Sequence, residues 1–117
     1  VSHDSHNLIV AGADEADMAL AGNTVAQMNG GLCVVENGKV LATLPLPVAG
    51  LMSEKSAEEV ARENQDLRDA VLRIGVSEGI EPFMNLAFVS LPVIPHLKMT
   101  TIGLVDVDRF SPVPLFV

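Results

Sequence analysis

The stretch Leu32-Cys33-Val34-Val35-Glu36-Asn37-Gly38-Lys39-Val40-Leu41-Ala42-Thr43-Leu44 decides the fold. Two apolar, β-prone runs, Leu32 to Glu36 and Lys39 to Leu44, flank Asn37-Gly38. That dipeptide best tolerates positive φ at both centres of a type I′ turn, so the stretch is predicted to be a β-hairpin. The following Pro45-Leu46-Pro47-Val48-Ala49-Gly50 cannot continue a central strand, because each proline removes a ladder donor. An extended connection is expected there.

Working outward, Leu8-Ile9-Val10-Ala11-Gly12 is a short apolar run ended by glycine, the pattern of a buried strand. Asp14 then caps a helix with Asp17 in its first turn, Met18, Ala21, Val25 and Met28 at helical spacing, and Gly30-Gly31 as its stop. Beyond the hairpin, Ser56 with Glu59 forms a capping box. Ala57, Val60, Ala61, Asn64, Leu67, Val71 and Ile74 then mark one face of a long helix ending near Gly75. Glu58 with Arg62 and Asp69 with Arg73 are spaced for ion pairs on its outer face. Phe83 to Leu91 reads as a short buried helix or a buried strand, and Pro82, by its preference for the first turn, favours the helix. Pro92 to Met99 reads as extended and proline-broken, Gly103 to Val107 as a brief strand, and Phe110 to Val117 as an apolar tail docked on the core. The order of elements predicts an α+β fold: a two-layer domain with a small mixed sheet and helices packed on one side.

At 117 residues, with 49% hydrophobic and 19% charged, the chain is sized and composed for one packed domain over residues 1–117. A formal charge of −8 repels phosphate backbones and anionic membranes, and the absence of Trp and Tyr leaves few stacking platforms for bases. Nucleic acid and lipid are therefore not expected as partners. Cys33 has no second thiol to pair with, which fits a reducing cytoplasm. No run approaches the roughly 18–20 apolar residues of a membrane span, and no signal peptide is expected. The start at Val1 rather than methionine suggests a piece of a longer polypeptide.

One block concentrates the chemistry. Ser2-His3-Asp4-Ser5-His6-Asn7 holds two of three histidines with a carboxylate, two hydroxyls and an amide. In an extended segment Asp4 and His6 would share a face. A carboxylate beside an imidazole fixes its tautomer and raises its basicity, as in general bases and metal-site supports. The same residues also serve as turns and caps ahead of a strand, and both readings stand on pattern alone. A closed zinc site would need His3, His6, Cys33 and the distant His96, a spacing that matches no standard set. Cys33 between Leu32 and Val34 reads as a core residue rather than a nucleophile. Gly12-Ala13-Asp14 lacks the second early glycine of a phosphate loop.

Longer phrases carry a resemblance. Ser2 to Leu8 with Gly12 and Asp17-Met18-Ala19-Leu20-Ala21, then Gly30-Gly31, Val34 to Val40 and Leu44 to Ser53, form a collinear series. Pro82-Phe83-Met84, Leu91 to Pro95 with Leu97-Lys98, and Val113 to Val117 complete it. The series resembles the final domain of bacterial adenine deaminases over essentially the whole chain. The resemblance implies a parent enzyme that hydrolyses adenine to hypoxanthine and ammonia in purine salvage. That enzyme would hold a divalent metal, manganese or iron with zinc as a further option, in an amidohydrolase barrel upstream of Val1. It also implies a homo-oligomeric parent, no metal ligand and no certain catalytic residue in this chain, and inactivity of the chain alone. The upstream barrel would be its partner. His3, Asp4 and His6 are candidate accessory residues, and Ser2, Ser5 and Asn7 candidate neighbours of the substrate. The alternative is a stand-alone interaction domain whose tail from Phe110 docks on a partner.

Overall fold

The computed structural model describes residues 2–116. The hairpin forms as expected: β1 (Gly31–Glu36) pairs antiparallel with β2 (Lys39–Pro45). Asn37 and Gly38 turn between them at φ 52° and 73°. The register slips between Val34 and Val35, because Val34 faces Ala42 while Val35 faces Val40 and leaves Leu41 as an extra residue. Gly31 sits at φ 137°, and a Cβ there would lie 2.2 Å from the Leu44 carbonyl oxygen, so only glycine lets the chain enter β1 here.

Helix α1 (Glu15–Gln27) starts on the expected cap, with the Asp17 N–H donating to Asp14 Oδ1 at 2.8 Å. The Asp17 carboxylate accepts the Asn37 N–H at 2.8 Å and the Gly38 N–H at 2.7 Å. One first-turn carboxylate thus clamps the hairpin tip to the helix. Helix α2 (Ala57–Arg73) opens with the full capping box: Glu59 N–H donates to Ser56 Oγ, and Ser56 N–H donates to the Glu59 carboxylate. These bonds hold the exposed Glu59 carboxyl below its ordinary range.

The core is the contact of α2 with one face of the hairpin. Val34, Leu44, Leu46, Leu67, Ala70 and Val71 are buried together, and Leu67 is fully enclosed. Burial of a side chain of that size stabilises by about 1.5–3 kcal/mol. The Cys33 thiol lies toward Thr24 of α1 on the opposite face, and burial pushes its pKa up against a smaller lowering by the Thr24 hydroxyl. A helix therefore lies on each face of the hairpin. The expected pairs within α2 give way to others: Arg73 reaches Glu36 of β1 at 3.5 Å and Asp69 accepts from Gln65.

Helix α3 (Pro82–Val89) begins at Pro82 as expected. Strands β3 (Leu97–Thr100), β4 (Gly103–Asp106) and β5 (Ser111–Pro112) form a second antiparallel sheet in the order β3-β4-β5. The class is α+β as predicted, and the strands divide into two antiparallel sheets instead of one mixed sheet. Two expectations are corrected. Leu8 to Gly12 forms no strand, since none of its backbone groups meets a partner among the described residues. The tail does not dock on the core: Ser111-Pro112 pairs with the edge of β4 instead, and Phe110 is 88% and Phe116 85% exposed. Val117, the last residue of that tail, lies outside the described residues. No helix among the described residues is long and apolar enough to cross a membrane.

Candidate functional site

The polar block at residues 2–7 folds as a turn rather than an extended segment. The His6 N–H donates to the Ser2 carbonyl oxygen at 2.9 Å, and His6 itself takes the left-handed conformation at φ 52°. A reversal at this point removes the alternation that would have put Asp4 beside His6. Asp4 pairs instead with its neighbour His3, whose Nε2 lies 3.1 Å from Asp4 Oδ2. Both side chains are about half exposed, so the pair contributes little to stability.

The turn sorts the six residues by direction. Ser2, His6 and Asn7 line a cleft of about 1050 Å³, whereas His3, Asp4 and Ser5 do not. Ser5 Oγ lies 3.0 Å from Ser90 Oγ, at the end of α3. Ser90 is buried, and its hydroxyl also reaches the Ala87 carbonyl oxygen at 3.4 Å. Both contacts are satisfied together when Ser90 donates to Ala87 and Ser5 donates to Ser90. That contact anchors the block and holds His6 at the rim of the cleft. Ser90 was not predicted as a partner, because a lone serine at a helix end carries no sequence signal of a contact 85 residues away.

The cleft runs between the N-terminal segment, α1, β1 and α3. Its lining is mainly apolar, with Leu8, Val10, Met18, Val25 and Phe83 among the walls. Asp14, Asp17 and Glu36 stand around it, and among the described residues no lysine or arginine lines it. Elsewhere, His96 Nδ1 pairs with Asp108 on the exposed side of the second sheet.

A divalent metal finds no seat in this set. Among the described residues, no three of His, Cys, Asp or Glu converge in a group able to hold an ion. His3 turns to Asp4, and His6 stands alone among these types at its end of the cleft. One histidine with a hydroxyl and an amide can orient a polar ligand or a neighbouring loop, and it lacks the donor set for a metal.

The family model described as the adenine deaminase C-terminal domain matches residues 1–111. The chain belongs to that family. It is 54% identical over 115 residues to adenine deaminase 2 of Carboxydothermus hydrogenoformans, covering 98% of this chain and 20% of that protein. It is 53% identical over 111 residues to the adenine deaminase of Methanococcoides burtonii, covering 95% of this chain and 19% of that protein. To the adenine deaminase of Brucella abortus the identity is 54% over 111 residues, again with 19% of that protein covered. The chain thus spans about a fifth of the length of the curated relatives it matches. Membership of this family favours a piece of an enzyme over the stand-alone interaction domain.

Proposed function

We propose that the chain is the accessory C-terminal domain of an enzyme that converts adenine and water to hypoxanthine and ammonia. The collinear match to proteins named adenine deaminase, at 53–54% identity over 95–98% of the chain, carries this reading. The reaction replaces a ring amino group by oxygen, and a divalent metal such as manganese or iron would supply an activated water for that step. The metal belongs to the part of the parent polypeptide outside these residues, an upstream barrel, because the donor set here does not fit one. The chain by itself is inactive. The parent works in the cytoplasm, in purine salvage, as a homo-oligomer.

The contribution of this domain is positional. Ser5, held by Ser90, fixes the turn, and the turn aims His6 and Asn7 along the cleft. From there the two side chains can hydrogen-bond the purine or the loop that closes over it. His3 and Asp4 satisfy each other and lend charge at the outer surface of the block.

The test is ammonia release from adenine by the parent polypeptide supplied with manganese or iron. Turnover of a different purine with adenine untouched sinks the reading. Within an active parent, His6→Ala is expected to lower kcat by roughly a hundredfold to a thousandfold, the range of a polar contact to a reacting group, with an unchanged melting temperature. Unchanged kinetics with a lowered melting temperature would reduce the block to a structural turn.

A further inference from the structure

The segment Leu8 to Ala11 has the composition of a strand and none of the bonds of one. Leu8, Ile9, Val10 and Ala11 are extended-prone apolar residues. From Asn7 to Ala13, no backbone N–H or C=O makes a hydrogen bond within the described residues. A run of this kind beside an apolar cleft leaves a ladder of donors and acceptors without partners.

The other wall of the cleft presents the same deficit. Among the described residues strand β1 pairs with β2 alone, so its backbone groups pointing away from β2 have no strand beside them there. All six residues of β1 line the cleft, as they would if the strand met it edge-on.

Helix α1 relates the two walls. It covers the Cys33 face of β1 through Thr24. It also carries Gly22, where an added Cβ would stand 3.7 Å from Leu8 Cδ2 and 3.8 Å from Val10 Cγ2. One helix thus packs on both β1 and the segment, as a helix does across neighbouring strands of one sheet. The space between them is the cleft of about 1050 Å³, and the helix that would cover a strand there is already in place.

The remaining surface agrees. The accessible area is 7773 Å² for 12.4 kDa, against about 6100 Å² from the scaling of compact monomers. Leu8 is 57% exposed beside this cleft.

We propose that Leu8–Ala11 and the free edge of β1 are two parts of one incomplete sheet, closed by an extended apolar strand from the parent polypeptide outside this chain. The occupant is a strand, because a β-ladder satisfies a whole row of unpaired backbone groups at once, on the segment as on the edge of β1. Its source is the rest of the polypeptide, because the relatives that contain this domain are about five times its length. Its side chains are apolar or basic, since Asp14, Asp17 and Glu36 would repel acidic ones. This inference rests on the chain being one part of a longer polypeptide and not on the reaction that polypeptide catalyses.

The experiment is hydrogen exchange combined with photo-cross-linking on the intact parent, with photo-leucine replacing leucine. Amides of Ile9 to Ala11 are expected to exchange on the order of 100-fold more slowly than those of a free chain. Links from Leu8 or Leu32 are expected to reach a peptide upstream of Val1. Free-chain exchange in the intact parent overturns the proposal. So do links from Leu8 only to β1 of the same chain, which would mean the segment closes on β1 by itself. Links between isotopically distinct copies overturn it in favour of a second copy. Ammonia release is not read here, so a parent with another activity leaves the outcome unaffected.

Discussion

Two regions of this molecule solve the burial problem to different degrees. The hairpin and α2 enclose Leu67 completely, in a cluster of six buried residues that includes it. The N-terminal segment, α1 and α3 surround a wide cleft instead, and α1 has no fully buried residue at all. In the first region apolar side chains meet each other across a closed contact. In the second they meet an open space, and the helix there is held at its start by hydrogen bonds. Packing carries the hairpin and α2; polar clamps at Asp14, Asp17 and Ser5 position the rest.

This contrast can be broken by substitution. Leu67→Ala is expected to cost about 2–5 kcal/mol in denaturant unfolding, since the site is enclosed and cannot collapse fully. Phe110→Ala, at 88% exposure, is expected to stay within about 0.5 kcal/mol. Comparable losses at the two positions would mean that the second sheet shares the core. Asp17→Ala removes both acceptors of the hairpin tip, and about 1–2 kcal/mol is expected, discounted for exposure. A cost as large as that of Leu67→Ala would make α1 part of the packed unit.

The smallest effect is electrostatic. The folded pKa of Glu59 lies below its ordinary value of 4.5, so folding favours the ionised carboxyl. Its contribution is present at pH above about 4.5 and is lost as pH falls through the lowered folded value. Glu59→Gln should therefore melt lower than the unsubstituted chain at neutral pH and converge with it in acid. A difference independent of pH would assign the capping effect to Ser56 alone.

What was legible in the sequence follows the same division. Asn37-Gly38, the Ser56–Glu59 box, the Asp14 cap and Pro82 are local signals, and each marks a turn or helix start at its expected place. The periodicity of α2 identified Leu67 and Val71, missed the buried Ala70, and put on the same face Ala57, Ala61, Asn64 and Ile74, which are exposed. Leu8–Gly12 was read as a strand from its residues alone, yet a strand needs a neighbour, and none pairs with it among the described residues. At the polar block, the residues were found and their partners were not. Alternation paired Asp4 with His6, whereas the left-handed His6 backbone brings Asp4 to His3 and Ser5 to Ser90.

The Ser5–Ser90 contact also has a consequence in time. During synthesis the first serine leaves the ribosome while its partner is 85 residues behind. At about 5–20 residues per second that gap is roughly 4–17 s. The hairpin and α2 are complete by Arg73 and can close over Leu67 in that interval, as their contacts are short in sequence. The latch on the turn that carries His6 therefore closes only after the hairpin and α2 can form, and its mouth stays unlatched for anything that must enter before it.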